Sequence, residues 1–238
     1  MRMFVALAPL LLAAGLATPA LAADEATVSI NGVGEVTAAP DTALVTSGVT
    51  TQGATAREAL DANTAAMAQL IDTLKAAGIE ERDIQTSGFS VNPNYVYSDA
   101  RDANGYSLPP RINGYVVSNT VNVRVRDLGK LGTMLDQAVT VGANTINGVS
   151  FSVADPSALY EAARKAAFAD ARQKAELYAA AAGEELAGVR TISEQQSYGQ
   201  PEPYMMKTMA ADIASAPVPV AGGELSFVIN VQVTWAFE

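Results

Sequence analysis

The stretch "FVINVQVTWAF", Phe227 to Phe237, decides the fold class, because its side chains alternate strictly. Phe227, Ile229, Val231, Val233, Trp235 and Phe237 fall on one face, while Asn230, Gln232 and Thr234 fall on the other. A strand with one apolar and one wet face belongs in an antiparallel sheet whose apolar side is covered by helices. "YVVSNTVNVRV", residues 115–125, repeats the pattern. There Tyr115, Val117, Val121, Val123 and Val125 share a face, Ser118, Thr120, Asn122 and Arg124 take the other, and Asn119 breaks the rule. Shorter strands are expected at 27–38, 42–52, 84–92, 147–153 and 188–195.

The covering helices are equally legible. Thr55-Ala56-Arg57-Glu58 is a capping box, in which hydroxyl and carboxylate satisfy the unpaired N–H groups of a helix start. Behind it Leu60, Met67, Leu70, Ile71 and Leu74 follow a 3.6-residue stripe, and Gly78 ends the helix. A second helix is predicted from Asp127 to about Val141, burying Leu128, Leu131, Leu135 and Ala138 and stopping at Gly142. A third, rich in Ala, has Asp155 as N-cap and Pro156 at its first position, and reaches Ala182 before Gly183.

The resulting order is β-β-α-β-β-α-β-α-β-β. This predicts an α+β fold of antiparallel sheets packed by three helices, with a ferredoxin-like β-α-β-β-α-β core across 42–153. Sub-lobes 23–153 and 154–238 are a natural division. Two connections, 92–111 and 195–223, are longer than compact domains normally use. Long loops of this kind tend to carry function.

The first residues speak to compartment. Met1-Arg2-Met3 is a short basic segment, Phe4 to Leu16 is apolar apart from Pro9, and Ala20-Leu21-Ala22-Ala23 offers a small-residue cleavage site. That is the layout of a secretory signal peptide over residues 1–22, cleaved near Ala22-Ala23, with an apolar run too short to span a bilayer. No second run is long enough, so the mature chain, 23–238, is expected to be exported, with no transmembrane span. Removing Arg2 takes the formal charge from −10 to about −11. An acidic chain without a basic stripe argues against nucleic acid and against electrostatic adsorption to anionic lipid. Peripheral association with the envelope by other contacts stays compatible with this charge.

The chain has no His and no Cys. There is therefore no disulfide, no Ser-His-Asp or Cys-His catalysis and no imidazole or thiolate ligand. No catalytic residues are assigned, and a carboxylate hydrolase lacks an assignable acid pair. Pro40-Asp41 reads as a reversal between two strands rather than as a catalytic acid. "SDARDANG", 98–105, fails as a calcium loop, since aligning Gly105 with the loop glycine puts Ala100 and Arg111 at ligand positions. Arg164, Lys165, Arg172 and Lys174 alternate with Glu161, Asp170 and Glu176, an ion-paired helix face. No cofactor or metal site is assigned.

Interaction residues are more promising. Tyr95, Tyr97 and Tyr106 crowd the 92–111 loop, and tyrosine gives large contact area at low entropic cost. The second connection carries Tyr204, Met205, Met206 and Met209. Thioethers suit adaptable interfaces, and they also suit Cu(I) contact or the absorption of oxidant.

Three Asn-Gly steps recur, Ile30-Asn31-Gly32-Val33, Ile112-Asn113-Gly114-Tyr115 and Ile146-Asn147-Gly148-Val149, with dissimilar flanks. They are read as positions where a strand bends or bulges, not as repeats or phosphate loops.

Taken in order, several segments resemble the SIMPL-domain family, whose bacterial members include periplasmic immunogenic proteins. They are "NGVGEVTAAPDTALVTSGV", "GIEERDIQTSGFSVNPNY", "INGYVVSNTVNVRVRD", "GANTINGVSFSV", "ARKAAFADARQKAELYAAAAGEEL" and "AGGELSFVINVQV". The resemblance implies an exported α+β protein that assembles with itself into a ring- or channel-like homo-oligomer. It also links some relatives with tolerance of oxidative stress, and it supplies no catalytic residue.

Overall fold

The computed structural model describes residues 25–195, 202–204 and 218–238. The expected leader 1–22 lies outside them, as do Met205, Met206 and Met209. Along the chain run β1 (Thr27–Ala38), β2 (Thr42–Gly53), α1 (Ala56–Ala76), β3 (Ile84–Val96), β4 (Arg111–Val125) and α2 (Leu131–Thr140). They are followed by β5 (Thr145–Ser152), α3 (Ser157–Ala182), β6 (Leu186–Gln195), β7 (Glu202–Tyr204) and β8 (Glu224–Phe237). Every strand pair is antiparallel. This is the α+β arrangement of antiparallel sheets and three helices that the alternating strands predict.

One sheet has the order β3-β4-β2-β5 and carries α1 and α2. Its inner face is aliphatic, with Val45 and Val49 of β2 and Val121, Val123 and Val125 of β4 packed under Met67, Leu70 and Leu74 of α1 and Leu131 and Leu135 of α2. Each such side chain contributes roughly 1.5–3 kcal/mol when fully buried. The capping box forms as read, Glu58 N–H donating to the Thr55 hydroxyl and Thr55 N–H to the Glu58 carboxylate. The α1 stripe also buries Asn63, whose amide donates to the carbonyls of Val49 (2.9 Å) and Val117 (3.2 Å) and ties the helix to two strands.

The other sheet joins the two ends of the chain. Its order is β1-β8-β6, with β7 extending the β6 side of β8. The predicted apolar face of β8 is buried at Phe227, Ile229, Val231, Val233 and Trp235, while Phe237 is only half-buried at the strand end. Above it lies α3, which contributes Ala163, Ala167, Ala171, Ala175 and Ala179, one every turn and all buried. A Cβ on Gly32 would stand 2.1 Å from the Ala167 carbonyl oxygen, and one on Gly34 2.0 Å from that of Ala163. Helix and strand backbones therefore touch, which only Gly against Ala permits. Tyr160 meets Phe227 edge-on at 5.4 Å, and Phe168 tilts against Trp235 at 6.1 Å.

Several expectations need correction. Pro40-Asp41 closes no hairpin, because β1 and β2 belong to different sheets. It is a corner between them, braced by Asp41 Oδ1 accepting from Ala154 N–H at 2.8 Å. The first Asn-Gly step does not bend its strand; Gly32 is there for α3 to approach. The other two are bulges, for the pairing skips Asn113 opposite Asn94/Tyr95 and Asn147 opposite Thr46/Ser47, with Gly114 and Gly148 at φ of 151° and 143°. The second helix starts late: Asp127 caps a 3-10 turn over Leu128–Lys130, and only then does α2 begin. The third helix also starts later than read: α3 begins at Ser157 with Pro156, not Asp155, at its N-cap, although Asp155 still accepts from Ser157 N–H at 3.0 Å.

Candidate interaction site

The 92–111 connection is shorter than read from the sequence. Strand β3 continues to Val96 and β4 begins at Arg111, so the pair forms a long hairpin whose connection is 97–110. Pro93 is tolerated because β3 is an edge strand and needs no donor on its open side. A bulge between Ser87 and Ser90 shifts the register partway along β3. From there to the hairpin's end, apolar side chains stand in solvent.

Phe89 is 57% exposed, Tyr97 80% and Tyr106 73%, and Val91, Tyr95, Val96 and Ile112 are exposed as well. Scattered exposed hydrophobes are ordinary, but here seven fall on one hairpin and form an exposed apolar surface. Val96, Leu108, Pro109 and Ile112 also line a hollow of about 510 Å³ at its end. The predicted Tyr95, Tyr97 and Tyr106 all lie on this hairpin. Phe89, Val91, Val96 and Ile112 are the additions, and the Gly88-Phe89 break in the strand pattern is the signal that would have found Phe89.

The connection itself is shaped from within. Asp102 Oδ1 accepts from the N–H groups of Asn104 and Tyr106, both at 2.9 Å, and Asp102 N–H donates to the Tyr106 carbonyl at 2.8 Å. Arg101 Nη1 donates to the Gly105 carbonyl at 2.7 Å. Asp102, the central carboxylate of the failed calcium motif, is thus committed to holding a turn. Among the described residues no three Asp or Glu side chains come together as metal ligands would. Tyr204 falls in β7, where its backbone pairs with Glu224; its side chain is outside the described residues, as are Met205, Met206 and Met209.

A second polar feature lies between the end of α1 and the start of α2. Arg126 donates through Nε to Asp83 Oδ2 (2.7 Å) and through Nη2 to Asp83 Oδ1 (2.8 Å). The hydrogen bond from Arg126 holds the buried Asp83 carboxyl below its ordinary range, against the opposing effect of burial. A carboxylate so stabilised is a poor proton donor or acceptor near neutrality. The hollow beside it measures only about 130 Å³. This pair fastens the start of β3 to the end of β4. On α3, Lys165 pairs with Glu161, Arg172 with Glu176 and Lys174 with Asp170, as the charge alternation predicts, while Arg164 reaches across to Glu194 of β6.

Comparison with known proteins places these features in a lineage. Residues 28–235 match the model of the SIMPL family, described as a protein of unknown function (DUF541). The 26 kDa periplasmic immunogenic protein of Brucella melitensis biotype 1 is 41% identical over 213 residues, covering 88% of this chain and 84% of that protein. The uncharacterized protein YggE of Escherichia coli K12 is 31% identical over 211 residues, covering 87% and 81%. YggE of Edwardsiella ictaluri is 32% identical over 188 residues, covering 79% and 76%.

Proposed function

The chain belongs to the SIMPL family, and from that premise we propose that it is a periplasmic, non-enzymatic protein that assembles with itself into a ring- or channel-like oligomer. Residues 1–22 direct export and are removed, leaving 23–238 as one SIMPL domain. The name of the Brucella relatives supports the compartment. No helix among the described residues is long and apolar enough to cross a membrane, which accords with peripheral rather than integral contact with the envelope.

The observation that carries self-assembly is the exposed aromatic surface of the β3–β4 hairpin. Tyr97 and Tyr106 at its end, with Phe89 and Ile112 along it, supply the kind of rigid anchors that dominate binding energy when they enter a partner's pocket. The non-enzymatic reading rests on the absence of His and Cys from the sequence and on the Asp83–Arg126 pair being locked in mutual hydrogen bonds. Cross-linking in intact envelopes tests the surface. The wild-type chain should give a ladder of multimers that a Tyr97→Ser/Tyr106→Ser double variant loses while keeping its circular dichroism. An unchanged ladder would remove the hairpin from the account.

A second role in oxidant protection is motivated by Met205, Met206 and Met209 lying within five residues of one another. Thioethers there would be oxidised to sulfoxide or would contact Cu(I). Deleting 205–209 should lower survival under peroxide, and equal survival would dismiss this role.

A further inference from the structure

The β1-β8-β6 sheet has two edges, and they are treated differently. On β1, the Val33 N–H donates to Asp170 Oδ2 at 2.9 Å, and the Asn31 carbonyl accepts from Lys174 Nζ at 3.3 Å. Both groups come from α3, so this edge is stopped against further pairing. On β6, among the described residues, no group donates to or accepts from the outer backbone edge between Arg190 and Glu194. An open edge is a template for another strand.

The cover of the sheet is equally uneven. α3 lies mainly over β1 and β8 and meets β6 only near Leu186 and through the Arg164–Glu194 pair, so Val189 is 42% and Ile192 59% exposed although both sit in a sheet. Between helix and strand runs a hollow of about 250 Å³, walled by Phe168 and Arg172 and floored by Val189 and Trp235.

The sequence of β6 is complementary to itself. Pairing it antiparallel with an identical strand about Ile192 sets Thr191 opposite Ser193 and Ile192 opposite Ile192, and brings Glu194 up to Arg190, which stands in a bulge where the β8 pairing passes from Val189 to Thr191. Opposite charges and apolar residues placed directly across two strands stabilise the pair. Each charge already has an internal partner, Arg190 with Glu25 and Glu194 with Arg164. The two copies would therefore join in an alternating row of Arg164, Glu194, Arg190 and Glu25, entered once from each side. That row is locally neutral in a chain of net charge −10, which removes the repulsion that would otherwise oppose close approach.

We propose that β6 is a two-fold interface at which a second copy of this chain adds its own β6 edge to edge. This rests on the self-assembly reading above and gives it a second, symmetric contact remote in sequence from the hairpin.

The absence of cysteine makes the test direct. Directly opposed residues in an antiparallel pair hold their Cβ atoms about 4.5–5.5 Å apart, close to what a disulfide needs. Purified mature protein carrying Ile192→Cys should give a covalent dimer under mild oxidant, and Val33→Cys, on the blocked edge, should not. Adding Arg190→Glu, which sets like charges across both Arg190–Glu194 positions of the pair, should abolish most of the dimer. Failure of Ile192→Cys to cross-link in protein that light scattering shows to be oligomeric overturns the β6 contact and leaves the hairpin reading standing. Failure in protein that is strictly monomeric overturns both. Linkage of Ile192→Cys in cells to a different envelope protein, with none to itself, also overturns the proposal.

Discussion

Asp170 on α3 accepts the backbone N–H of Val33 at 2.9 Å, across 137 residues of sequence. The same carboxylate is held by Lys174 Nζ at 2.7 Å, and both contacts keep it ionised below its usual range, the Lys174 bond more than the Val33 one. A helix pair thus doubles as a plug on an open strand. Asp170→Ala should free the β1 edge and raise heat-induced turbidity, whereas Glu161→Ala, which breaks a pair touching no strand, should not. Equal turbidity of the two variants would show that the β1 edge needs no plug.

The packing of α3 on β1 yields a stability prediction. At both Gly32 and Gly34 a methyl group meets helix backbone, which cannot swing aside as a side chain can. Gly34→Ala should cost about 3 kcal/mol, the upper end of overpacking penalties, in urea denaturation. Gly188, with open space around it, is the control: Gly188→Ala should be close to neutral.

Acid stability should report on Asp83. Its folded-state pKa is depressed, chiefly by the hydrogen bond from Arg126, so the carboxylate contributes stability above the unfolded value of about 3.9. That contribution is lost as pH falls through the lower, folded value. Asp83→Asn should therefore unfold earlier than wild type at pH 7, and the two should converge as pH falls below about 4. Parallel curves over that range would show that the pair is not linked to folding.

Much of this architecture was legible because period and caps act locally. The alternation from Phe227 to Trp235 and the capping box at Thr55 hold residue by residue. What escaped reading depended on distant partners. Nothing near Gly32 in sequence announces that Ala167 will press against it, and so an Asn-Gly step serving approach looked the same as two serving bulges. Asn63 sits on an apolar stripe, and only the carbonyls of Val49 and Val117 explain it. Pro93 and the Asn-rich flanks suggested a loop at 92–96, yet an edge strand accepts Pro, and the bulge at Asn113 keeps the hairpin in register. The tyrosines were visible as a cluster; that they ride on a projecting hairpin required the strand pairing.

Self-assembly of the mature chain is the central claim, and its mass in solution measures it most directly. Size-exclusion chromatography with light scattering on residues 23–238 should return a multiple of the protomer mass, reduced by Tyr97→Ser/Tyr106→Ser. A strict monomer at high micromolar concentration would contradict the account.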